Sequence, residues 1–214
     1  MVARRNGLRC LGTIDVPLLT FDDGPSESTA EILDLLADYT VQATFFVIGS
    51  RAVQRPDLVE RAAAEGHFIG NHTWDHVALA QLTNDDHVTE KLRHTNDAIE
   101  EILGAAPTLF RGPWLDVDDR VKRLAKDLEL THLDVHVDTN DYDDRFDADY
   151  VANAILDAHA GQIVLLHDGN GDERGAPINP PRPKTVEALR RALPDFTDRW
   201  RSILQIRDAS TDLG

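Results

Sequence analysis

The sequence predicts an α/β fold built on a parallel sheet. Short apolar runs of strand length alternate with segments of helical period, and this alternation continues along the whole chain. The segments between them carry the Gly, Pro and Asp that end helices and start turns. About seven runs have strand length. That number suits either a closed barrel with a distorted unit or an open doubly wound sheet. TFDDGP, after the first run, lacks the glycine spacing of a nucleotide-binding loop.

In chain order the predicted strands are Val16–Phe21, Val41–Ile48, His67–Asn71, Thr108–Arg111, Leu133–Asp138, Gln162–His167 and Ser202–Arg207. Each is a short apolar or alternating run. Helices are predicted over Ser28–Tyr39, Pro56–Glu65, Asn84–Leu103, Val117–Leu128, Ala148–Ala160 and Lys184–Phe196, where apolar residues recur every three to four positions. Ile32, Leu33, Leu35 and Leu36 form such a stripe. Pro56 and Gly66 bracket the second helix at the ends where each residue is favoured. Gly169–Pro183 reads as a surface loop following a strand end, where barrel active sites form. Nothing divides the chain, so residues 1–214 are expected to form one domain.

Composition narrows the partners. The 214 residues carry 22 Lys+Arg against 38 Asp+Glu, a formal net charge of −16. Such a surface repels phosphate backbones and anionic lipid, so neither nucleic acid nor membrane is expected as a partner. The charge is made of 28 Asp against 10 Glu and 18 Arg against 4 Lys, a balance like that of proteins from saline cytoplasm. The single cysteine, Cys10, excludes an intrachain disulfide. No apolar run approaches the roughly 20 residues of a membrane span. The N-terminus does not read as a secretory signal, which predicts a cytoplasmic chain, or an extracellular one if the true start lies upstream.

Residues suited to chemistry gather just after predicted strands. Asp22 and Asp23 follow the first, His72 and His76 the third, and Arg111 and Trp114 the fourth. Asp138, Asp141 and Tyr142 follow the fifth, and His167 and Asp168 the sixth. Parallel strands in a barrel open on one face, so these positions converge there. Taken singly they say little. The acid pair also suits a capping turn, and His72 and His76 have chelate spacing if their segment is helical. Two His and one carboxylate make a metal-binding face with open positions.

Together, in this order, the segments resemble the polysaccharide deacetylase family, the NodB-type domains of carbohydrate esterase family 4. The five stretches that carry the resemblance are Thr20–Pro25 (TFDDGP), His72–His76 (HTWDH), Arg111–Trp114 (RGPW), Asp138–Tyr142 (DTNDY) and Leu166–Asp168 (LHD). The resemblance implies a distorted (β/α) barrel and metal-dependent hydrolysis of N-acetyl or O-acetyl groups on a carbohydrate. It implies that Asp23, His72 and His76 bind a divalent ion, zinc first, with cobalt, nickel or manganese as alternatives. Asp22 becomes the general base, paired with Arg111, and His167 the general acid, tuned by Asp141. The backbone N–H of Trp114 helps hold the oxyanion, Leu166 lines the acetyl-methyl pocket, and Tyr142 stands in the substrate groove. Tyr142 and Leu115 depart from the commonest family pattern, which bears on glycan specificity. Two other readings are a related amidohydrolase acting on small non-peptide C–N bonds and a non-catalytic carbohydrate-binding module. The latter needs neither Asp22 nor His167.

Overall fold

The computed structural model describes residues 16–171 and 181–211, with side chains to Trp200. Cys10 and most of the predicted loop at Gly169–Pro183 lie outside the described residues. The order is β1 (Leu18–Asp22), α1 (Glu27–Asp38), β2 (Ala43–Val47), α2 (Gly49–Ala52), α3 (Pro56–Ala64), β3 (Phe68–Asn71), α4 (Asp85–Leu103) and β4 (Leu109–Phe110). There follow α5 (Asp119–Asp127), β5 (Thr131–His132), β6 (Val137–Asp138), α6 (Ala148–Asp157), β7 (Ile163–His167) and α7 (Pro183–Thr211).

The seven strands form one sheet in the order β5-β4-β3-β2-β1-β7-β6, and all described pairings are parallel. The edge strands β5 and β6 are neighbours in sequence. From His132 to Val137 the chain can reach at most about 18 Å. A flat sheet would hold those edges apart by six spacings of about 4.8 Å each, roughly 29 Å. The sheet therefore curls on itself. It is a distorted (β/α) barrel, open between β5 and β6.

That opening corrects one sequence expectation. Leu133–Asp138 alternates apolar and polar like a strand, yet only Val137–Asp138 belongs to one, and β5 lies just before the predicted run. The stretch between crosses the gap and uses its backbone on both edges. Leu133 N–H donates to the Phe110 carbonyl (3.0 Å), and His136 N–H to that of Ile163 (2.9 Å). A second correction concerns Ser202–Arg207, which is helical and continues α7. A short apolar run cannot by itself be told from a helix segment, and here the stripe Leu189, Leu193, Phe196, Trp200 carries the helical period onward. The four-residue α2 was not anticipated.

The helices begin where their caps say. Ser26 accepts from Ser28 N–H, and its own N–H donates to the Thr29 hydroxyl, a reciprocal box that starts α1. Asp118 and Asp147 cap α5 and α6, so part of the Asp surplus serves helix starts. The main core lies between the outer face of β1, β2 and β7 and helices α1, α3, α6 and α7, around Phe21, Phe45, Leu33, Leu166 and Leu189. A smaller cluster beneath β4 joins α4 to α5 through Leu92, Phe110 and Val121. Among the described residues no helix is long and apolar enough to cross a membrane.

Candidate active site

Parallel register brings the C-terminal strand ends to one rim. Asp22 stands opposite Phe46 on one side and His167 on the other, while Asn71 pairs with Phe110. Asp23, one residue past β1, has φ of +75°, which turns its side chain back over the barrel mouth. His72 and His76 lie in a loop, not on a helix, so helical spacing is not what unites them. The loop is shaped instead by left-handed Thr73 and His76 (φ +65° and +52°). Asn71 accepts from Thr73 N–H at 2.7 Å. The first N–H groups of α2 donate to the Thr73 and Trp74 carbonyls.

Asp23 Oδ1 lies 3.2 Å from His72 Nε2 and 3.1 Å from His76 Nε2. The three donor atoms all fall within 4.8 Å of one another, and all three residues are buried. Ligands about 2.0–2.2 Å from a single ion sit roughly 3–3.5 Å apart, so the two measured spacings suit a shared divalent cation. The donor set of one carboxylate and two imidazoles also fits such an ion. His72 Nδ1 lies 2.8 Å from the Arg111 carbonyl, which fixes the tautomer with Nε2 as the free acceptor. Burial opposes charge on Asp23. The facing His72 and His76 imidazoles outweigh it and hold the carboxyl well below its usual range. Burial likewise opposes charge on His72, and the Asp22 and Asp23 carboxylates more than offset it.

Two polar pairs flank this cluster. On one side Asp22 Oδ1 accepts from Arg111 Nη1 at 2.9 Å, and its Oδ2 lies 4.0 Å from His72 Nε2. Arg111 is 0 % exposed. Its guanidinium also donates to the Thr20 hydroxyl and to the Leu133 and Asp134 carbonyls, and it lies 4.4 Å from the Phe46 ring centroid. On the other side His167 Nδ1 meets Asp141 Oδ1 at 2.7 Å, while Asp141 Oδ2 accepts from His167 N–H and the Thr185 hydroxyl. Burial alone would lower the imidazole. The Asp141 carboxylate overrides that and raises His167 to about 9.

Asp23, His72, His76 and His167 line a cavity of about 480 Å³, within the range of small-molecule sites, and Asp22, Arg111 and Asp141 stand behind them. Trp114 and Tyr142 stand at its edge, 49 % and 47 % exposed. The Trp114 ring packs on His76 at 4.3 Å, and the Tyr142 ring meets His167 edge-on at 5.4 Å. Asp168 turns the other way. Its Oδ2 accepts from Thr29 at 2.6 Å, and burial raises its carboxyl to about 7.

A sequence model described as polysaccharide deacetylase matches residues 13–133, more than half of the chain. The chain belongs to the polysaccharide deacetylase family. It is similar to the chitooligosaccharide deacetylase of Sinorhizobium fredii, at 37 % identity over 185 residues, covering 85 % of each protein. It is 40 % identical over 134 residues to chitin deacetylase 1 of Cryptococcus neoformans, covering 58 % of this chain and 28 % of that one. The alignment thus spans under a third of the fungal protein. Among solved structures, a family 4 carbohydrate esterase from Streptomyces lividans in complex with acetate superimposes with a TM-score of 0.76 at 27 % identity, covering 88 % of this chain and 91 % of that one.

Within this family member, Asp22, Asp23, His72, His76, Arg111, Asp141 and His167 converge, and Trp114 and Tyr142 edge the same cavity. Leu166 does not. It points into the core beneath the helices, and Leu165 lines the cavity instead. Side chains alternate along a strand, so the residue sharing the His167 face is two positions away, not one. That alternation was legible in the sequence. Arg51, Asn170 and Gly171, which also touch the site, carried no signal because each of these contacts has a backbone atom as one partner.

Proposed function

We propose that the chain, as a single catalytic domain, hydrolyses N-acetyl or O-acetyl groups on a carbohydrate with the help of a divalent ion, zinc first, held by Asp23, His72 and His76. The observation that carries this reading is one buried three-donor cluster with Asp22–Arg111 on one side and His167–Asp141 on the other. A bound divalent cation supplies Lewis acidity, polarising a carbonyl and easing proton loss from water. The protein's own groups do the rest.

Asp22 Oδ2 takes a proton from the attacking water, because Oδ1 is committed to Arg111. The water oxygen bonds to the acetyl carbon, and the carbonyl electron pair moves to oxygen. The Trp114 backbone N–H stabilises that developing charge, a contribution on the order of 3 kcal/mol for one such donor. His167 Nδ1 faces Asp141, which leaves Nε2 to deliver a proton to the departing amine or alcohol as the bond to the acetyl carbon breaks. Acetate and the free amine or hydroxyl result. Leu165 offers an apolar wall to the acetyl methyl, while the exposed rings of Trp114 and Tyr142 offer faces for sugar stacking.

The test is acetate release from N-acetylglucosamine oligomers and other acetylated glycans, with and without chelator. Release stopped by chelator, restored by zinc and reduced about 10²–10⁴-fold in Asp22→Asn is the expected result. Wild-type rates from Asp22→Asn would overturn the assignment of the base.

A further inference from the structure

His72 and His76 are held by different means. His72 has a hydrogen-bonding partner for its second nitrogen, whereas among the described residues His76 Nδ1 has none. Ligand imidazoles are ordinarily oriented through that second nitrogen. The His76 ring packs against both Trp114 and Gly171, with its Nε2 facing Asp23. A Cβ on Gly171 would overlap Cε1, Nδ1 and Nε2 of the His76 ring. Gly171 also donates its N–H to Asp23 Oδ2 at 2.8 Å, the oxygen not shared with the two imidazoles. One residue without a side chain thus touches two of the three proposed ligands.

Arg51, in α2, places that residue. Its Nη1 donates to the Asp23 carbonyl and its Nη2 to the Asn170 carbonyl, both at 2.7 Å. One guanidinium therefore ties the left-handed turn after β1 to the segment after β7. The planar fork fixes the distance and the angle between the two carbonyls, which a lysine ammonium cannot do.

We propose that Arg51 and Gly171 act together as positioning residues for the Asp23–His72–His76 site, Arg51 by clamping the two loops and Gly171 by seating Asp23 and His76. This rests on the reading of those three residues as a metal site. Zinc affinity is measured by competition with a chromogenic chelator for wild type, Arg51→Met, Arg51→Lys, Gly171→Ala and the Arg51→Met/Gly171→Ala double variant. Melting temperatures of the chelator-treated proteins are measured alongside.

Arg51→Met and Gly171→Ala should each weaken zinc binding about 10–100-fold, the usual effect of losing an outer-shell partner. Arg51→Lys should recover only part of the loss. The double variant should be no worse than about the weaker single, because both changes break one device. Wild-type affinity in both single variants overturns the proposal, as does a double loss equal to the product of the single losses. Wild-type protein that binds no zinc overturns the metal reading itself, which separates the two failures. Gly171→Ala leaves α2 untouched and Arg51→Lys keeps the charge, so a folding defect in one variant leaves the other to decide.

Discussion

At the scale of the residue, the two flanking pairs are asymmetric by design of their surroundings. His167 is raised to about 9 because burial is outweighed by the Asp141 carboxylate. In the general-acid role proposed for it His167 works while protonated, so activity should hold through neutrality and fall as pH rises through about 9. Asp141→Asn removes the group that raises it, so the alkaline limb of the kcat/KM profile should move down by at least a unit. An unmoved limb would show that another group sets it. Much of the candidate site's geometry was legible in the sequence, since Asp22, Asp23, His72, His76, Arg111, Asp141 and His167 are all ionisable residues at or just past predicted strand ends. What escaped was backbone chemistry. Gly171 acts through an N–H and an absent Cβ, and Arg51 through two carbonyl oxygens. The displacement from Leu166 to Leu165 is a question of strand face, which the position of His167 already implied.

At the scale of the element, left-handed backbone is concentrated in the loops around the cavity. Among the described residues eight non-glycine residues have positive φ, and six of them, Asp23, Thr73, His76, Trp114, Leu115 and Asn140, lie in the strand-end loops around the cavity. Such backbone persists only where neighbouring contacts determine it. Away from the site the same geometry is held by Thr40 and Glu129 and by three glycines, Gly66, Gly104 and Gly161. Gly104 ends α4 at φ +74° with open space around it. Gly104→Ala should therefore cost about 1 kcal/mol through backbone conformation alone, a drop of roughly 2–4 °C in Tm. Acetate release should be unchanged. The long helices and the apolar strands β1, β2, β3 and β7 were readable because burial enforces their period. β5 and β6, two residues each, were not. Their boundary depends on where the chain leaves one sheet edge for the other, and no local pattern records that.

At the scale of the whole molecule, the open barrel needs something across its gap, and Arg111 supplies part of it. It joins β1, through Thr20 and Asp22, to the carbonyls of Leu133 and Asp134 in the crossing segment. Arg111→Met strands the buried Asp22 carboxylate and should cost about 3–5 kcal/mol, read as a fall in Tm of at least about 6 °C. A change under 2 °C would mean that the gap is sealed elsewhere. The net charge of −16 acts across the same molecule. Salt screens self-repulsion, so Tm should rise from dilute buffer to molar potassium chloride. Equal values would remove the saline reading. In the proposed mechanism Asp23, His72 and His76 together hold one ion that the hydrolysis requires. Elemental analysis of purified protein, with acetate release on the same samples, tests it most directly. One divalent ion per wild-type chain is expected, with loss of both ion and acetate release in Asp23→Ala and His76→Ala. Full release of acetate from metal-free protein would contradict it.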